Sequence, residues 1–304
     1  MEAALLHELA ITDLALRRFA DAEISLRIAG EIWSAYPEQT ERRVTVLYHL
    51  SRVLIEQSRV IEAEKLLYSA LALAEEKLPS DHPRTSGVLH TLGLLYWSKG
   101  DLQRASHHIA EALRRVQKTP GQYTRDAAVA ALDLAEVRSA QGQHREAVRL
   151  CRTSVDALQS LLGPEHPQTI TALLQLGIAQ IPIEPRQAEL TLRLVHSQWA
   201  ATQGASNATA AAIEGALARA SLALNEKDQA LQWNQRALTL ATQSAGEHGD
   251  TLASLYLDRA LILKAMRRRK EADQCQAEAS RILEANRPFA TGRQTIHVRA
   301  LANR

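Results

Sequence analysis

Leu92-Gly93-Leu94-Leu95-Tyr96-Trp97-Ser98-Lys99-Gly100-Asp101-Leu102-Gln103-Arg104-Ala105 reads as one helix ending, a tight turn, and a second helix beginning. Gly93 is small, as a residue must be where a neighbouring helix comes close. Gly100 follows seven residues later, where a helix-ending glycine belongs. Aligned on Ala105, small residues recur down the chain at Ala22, Ala63, Ala147, Ala188, Ala230 and Ala272, at spacings of 41 or 42. Seven residues beyond each stand Ala29, Ala70, Ala112, Ser154, Val195, Ala237 and Ala279. Twelve residues before each, or eleven in the fifth repeat, stand Ala10, Ser51, Gly93, Ala135, Gly177, Ala218 and Ala260. Such columns let two antiparallel helices approach near the lower end of the usual range of roughly 8–10 Å.

Larger apolar residues flank the columns at helical spacing, as in Leu47, Leu50 and Leu54. The pattern predicts seven helix–turn–helix repeats, at 2–16/20–35, 39–56/60–78, 83–98/102–118, 124–140/144–162, 167–181/186–203, 208–224/227–244 and 250–266/270–286. Alternate repeats begin with a second signature: Asp81-His82-Pro83-Arg84-Thr85, Glu165-His166-Pro167-Gln168-Thr169 and Glu247-His248-Gly249-Asp250-Thr251. Proline at a first helical position and an acid before it both suit a helix start, so these histidines read as start signals rather than metal ligands.

Composition agrees. Of 304 residues only 4% are aromatic, which suits a thin stacked core of Ala and Leu. A net charge of +2 points to neither nucleic acid nor an anionic membrane, and Arg267-Arg268-Arg269-Lys270 is the only dense basic run. No stretch is long and apolar enough to span a bilayer, and the acidic start does not read as a secretory signal, so a cytoplasmic setting is expected. Cys151 and Cys275 have no metal-like spacing, and Cys151 stands in the column of Leu26, Leu67, Ile109 and Leu192, which places it in the core. No nucleophile–base pair, phosphate-cradling loop or His-Glu-x-x-His spacing is present. Neither an enzyme nor a cofactor is therefore expected.

The columns resemble the tetratricopeptide repeat, whose pattern Leu92, Gly93, Tyr96, Gly100, Ala105 and Ala112 match. The period of about 42 residues and the acid-His-Pro-x-Thr linker resemble its kinesin-light-chain-like subclass. The resemblance implies a right-handed α-solenoid over residues 1–287. Its first helices would line a concave groove that binds a protein or peptide. Where that subclass commonly has asparagine in the first helix, this chain has His49, Thr91, Asp133, Gln175, Ala216 and Asp258. The positions that hold Lys and Asn in carboxylate-clamping relatives carry His7, Ile11, His49, Gly87 and Thr91, so no such clamp is expected.

The inward stripe should lie three residues before, one after and four after each first-helix small residue. On that reading repeats two to four offer a peptide-binding surface of Tyr48, Arg52, His90, Leu94, Trp97, Leu132 and Glu136. Tyr48, His90 and Trp97 would be anchors and Arg52 a carboxylate partner; the competing reading is that part of the stripe packs between repeats. The expected function is an interaction scaffold, with a sensor module that changes pitch on binding an effector as the alternative. Self-association through an end repeat is a further expectation, since no polar capping helix is evident at the N-terminus. Two features stand apart. Ile181-Pro182-Ile183-Glu184-Pro185 makes the turn of repeat five one residue short, and reads as a rigid turn or a hinge. Residues 288–304 read as an extended or disordered tail, with a strand-like Thr295–Leu301.

Overall fold

The computed structural model describes residues 2–79, 81–117, 125–201, 207–243 and 249–285. They form fourteen helices in seven antiparallel pairs, and no strand occurs among the described residues. The pairs are α1 (Glu2–Ala15) with α2 (Phe19–Ser34), α3 (Thr40–Glu56) with α4 (Val60–Lys77), and α5 (Pro83–Ser98) with α6 (Leu102–Gln117). Next come α7 (Arg125–Ala140) with α8 (His144–Leu162) and α9 (Pro167–Gln180) with α10 (Pro185–Ala201). The last are α11 (Asn207–Ala223) with α12 (Lys227–Gln243) and α13 (Gly249–Ala265) with α14 (Arg269–Ala285). The expected boundaries hold within one or two residues, because they follow from columns that packing enforces. The fold class is an α-solenoid. The expected tail, the strand at Thr295–Leu301 and His248 lie outside the described residues.

The contacts divide the chain into two compact units, residues 1–130 and 131–304. In the first unit α2 packs on α3 and α4 on α5, while α1 touches α3 and α3 touches α5. In the second, α8 packs on α9, α10 on α11 and α12 on α13, and α11 touches both α9 and α13. Within each unit second helices thus separate successive repeats, while first helices line up side by side.

The seven anchor alanines are fully buried, from Ala22 to Ala272. The first-helix column is tighter still. A methyl group on Gly93 would run into the Ile109 side chain and lie 3.1 Å from the Ala105 carbonyl oxygen; on Gly177 it would lie 2.7 Å from Leu192. Only glycine lets these helices meet so closely.

The turns share one device. Five residues before the anchor alanine, Arg17, Ser58, Gly100, Gly142, Asn225 and Arg267 all have positive φ, between 59° and 78°. Repeat five has Ile183 at that column, and a β-branched side chain cannot take this conformation cheaply. Its turn closes differently, with the amides of Ile183 and Glu184 both donating to the Gln180 carbonyl and Pro185 opening α10. The linker histidines prove to be caps: the His82 and His166 Nδ1 atoms each accept from the backbone amide two residues on, at 3.2 Å.

Candidate peptide-binding surface

In the first compact unit the aligned first helices bring His7 of α1 together with Tyr48, His49 and Arg52 of α3. The His7 and His49 rings lie 5.0 Å apart, and Tyr48 meets His49 edge-on at 4.9 Å. The Arg52 guanidinium carbon is 5.8 Å from the Tyr48 ring centre. Tyr48 also rests against Gly87 of α5, where even an added methyl would sit at ordinary contact distance, 3.9 Å. The ring thus faces α5 and leaves room for a methyl group there.

Arg52 is exposed, while Tyr48, His49, His90 and Leu94 are partly exposed. Trp97 differs. It is 5% exposed, so its indole takes the packing reading rather than that of an open anchor. His7 Nε2 and His49 Nδ1 are buried without a hydrogen-bond partner. Burial, then the neighbouring His7, Arg52 and Arg84, push the His49 pKa down to about 3. Burial lowers that of His7 too, with Glu8 opposing and Arg84 assisting. Both rings are neutral at ordinary pH, so this surface offers aromatic faces and ring nitrogens beside one guanidinium.

In the second compact unit Leu132 and Glu136 stand on α7, both partly exposed. Glu136 is near enough to Cys151 to help burial raise that thiol to about 12. Cys151 is buried, as its column requires. A polar pair occupies the first helices of repeats six and seven: Arg219 Nε lies 3.8 Å from Asp258 Oδ2. Burial pushes the Asp258 carboxyl up to about 6, with Arg219 opposing. Glu214 is buried as well, accepting from Arg236 at 2.7 Å and lying 3.1 Å from His196 Nε2. Trp233 backs this cluster, with Arg236 over its ring at 4.7 Å and the His196 ring at 5.4 Å.

A family model for the tetratricopeptide repeat matches residues 42–118 and 126–195. Those stretches are tetratricopeptide repeats. Among curated relatives, the clustered mitochondria protein homolog of Coccidioides immitis is 25% identical over 122 residues, 40% of this chain. The match spans only 10% of that protein's length. Among solved structures, the kinesin light chain nearly identical TPR-like repeats of Podosopora anserina share 24% identity. That likeness covers 67% of this chain and 98% of the other, with a TM-score of 0.58. The apo form of RapI, 12% identical, covers 94% of this chain and 100% of its own with a TM-score of 0.75. These two likenesses show the fold.

The stripe spacing singles out Tyr48, Arg52 and His90 as candidates but misses what joins the repeats. His49 and Asp258 share one column, two residues before the small residue, and each turns toward a neighbouring first helix. Glu214 carries a signal in the sequence. It stands four residues before Ala218, where Leu6, Leu47, Leu89, Ala131 and Leu173 make an apolar column. A polar network on Tyr96 ties repeat two to repeat three. The Tyr96 hydroxyl donates to Glu64 Oε1 and lies 2.8 Å from the Tyr68 hydroxyl, while Lys99 holds the other Glu64 oxygen at 2.7 Å. No group of His, Cys, Asp and Glu suited to a metal occurs among the described residues.

Proposed function

We propose that this chain is a protein-interaction scaffold that holds a peptide or helix of its partner against the first helices of the N-terminal repeats. The observation that carries the reading is the cluster of His7, Tyr48, His49 and Arg52, which gathers three rings and an exposed guanidinium on adjoining first helices. Aromatic and arginine side chains carry a large share of interface energy, and a concave repeat surface is a common binding face. Tyr48 and Arg52 are the contacts expected to matter most, with His90 and Leu94 beside them. Trp97 contributes by holding α5 in place.

The fold supports a scaffold rather than an enzyme, since tetratricopeptide repeats generally serve to bind proteins. Among the described residues no helix is long and apolar enough to cross a membrane. A peptide array probed with the full chain tests the surface. Tyr48→Ala combined with Arg52→Ala should remove most captured spots while circular dichroism stays unchanged. An identical set of spots would overturn the assignment.

A further inference from the structure

Leu5 and Leu9 of α1, and Leu16 directly after it, are 66%, 50% and 59% exposed, whereas the counterparts of Leu5 and Leu9 in later repeats are mostly covered. Leu5 aligns with Val46, Val88, Ala130, Ala172, Ile213 and Leu255, none more than 4% exposed. Leu9 aligns with Leu50, Leu92, Leu134, Leu176 and Leu217, none more than 8% exposed, and in the last repeat with the partly exposed Arg259. Between Leu9 and Leu16 stands Thr12, which aligns with Val53, Leu95, Val137, Ala179, Ala220 and Ile262, none more than 5% exposed.

What covers those columns is the preceding repeat. Val46 lies against Gly30 of α2; Leu255 packs with Ala211, Leu238 and Ala241 of the repeat before it; Ile262 packs with Ala218 and Ala230. The outward face of α1 is thus a repeat-stacking face with nothing stacked on it among the described residues. An exposed apolar stripe of this kind marks an interaction site.

We propose that this face docks on the same face of a second copy of the chain, with the two α1 helices antiparallel. A head-to-tail arrangement is disfavoured by the other end. The columns through which α12 meets the next repeat, Leu231, Asn234 and Leu238, become Asp273, Gln276 and Ser280 on α14. That face is polar and does not fit leucines.

Self-pairing, by contrast, is built into the spacing. Positions 5, 9, 12 and 16 are separated by four, three and four residues, a palindrome. Leu16 lies one residue past α1 but keeps the helical spacing, its amide donating to the Thr12 carbonyl at 3.0 Å, so antiparallel helices set Leu5 of one copy against Leu16 of the other, and Leu9 against Thr12. The same arrangement brings the acidic start at Glu2 toward Arg17 and Arg18 of the second copy and opposes the helix dipoles favourably. Parallel pairing would set like charges together. Such a patch, used identically by both copies, closes as a two-fold dimer and does not propagate. One helix pair is a small interface, so the dimer should be concentration-dependent.

Sedimentation velocity of the full chain over about a hundredfold concentration range reads this directly. The unaltered chain should pass from monomer to dimer. Leu9→Glu, and the milder Leu9→Gln, should shift the transition to higher concentration with the helical signal intact. In a Cys275→Ser background, Leu5→Cys mixed with Leu16→Cys should give a disulfide-linked pair faster than either alone. A chain monomeric throughout, whose face is then covered by some other protein, would overturn the proposal. So would a dimer that ignores both Leu9 substitutions, or faster crosslinking of Leu5→Cys with itself.

Discussion

A single missing methyl group sets the distance between α5 and α6. With Ile109 and the Ala105 carbonyl so close to Gly93, Gly93→Ala should cost roughly 1–3 kcal/mol by overpacking. Urea unfolding checks it; a loss well under ~0.5 kcal/mol would mean that the pair opens freely. The glycine was legible as one of a column, but the severity of its fit was not, since that depends on which side chain faces it. His49 gives a residue-scale prediction in pH. Its folded pKa near 3 lies below the ordinary 6.5, so the unfolded chain takes up a proton that the folded chain refuses. Stability contributed by the neutral ring is therefore present above about pH 6.5 and lost as pH falls toward 3, at ~1.4 kcal/mol per unit. His49→Gln should flatten that loss between pH 7 and 5, as followed by urea midpoints. Parallel curves for the two chains would refute it.

At the scale of the element, the turns explain why helix boundaries could be read so closely. Each three-residue turn ends its first helix with a left-handed residue, and four of the six are not glycine. A left-handed L-residue costs roughly 1–2 kcal/mol, offset in part by the entropy glycine loses on folding, ~0.5–1 kcal/mol. Arg267→Gly, at φ 64° and on the basic run that shares its turn with the Arg268–Glu271 pair, should therefore stabilise by about 0.5–1 kcal/mol. A lower urea midpoint would contradict the turn account. Ile183→Gly should bring no such gain, because repeat five closes without a left-handed residue. The exceptional turn was visible in the sequence as a missing residue with two prolines, but at four residues, 181–184, it is one longer than the others, and the missing length falls on α9, which stops three residues after Gly177 instead of five. How it closes, through two amides on one carbonyl, was not, because that depends on where the ends of α9 and α10 already lie.

For the molecule as a whole, period and small-residue columns sufficed for architecture, since in a repeat array each pair contacts only its neighbours. The arrangement of the candidate surface was legible only in part. Spacing could place Tyr48 and Arg52 on one stripe, yet it could not tell that Trp97 would be buried or that His7 would reach His49 across two first helices. Those outcomes depend on side chains of the adjoining repeat rather than on the period. One buried group has a practical consequence. Cys151 holds its proton far above neutrality inside α8, whereas Cys275 on α14 is only partly covered. A maleimide fluorophore should accordingly attach to Cys275 alone in the native chain, giving a one-site reporter in the final helix without any mutagenesis.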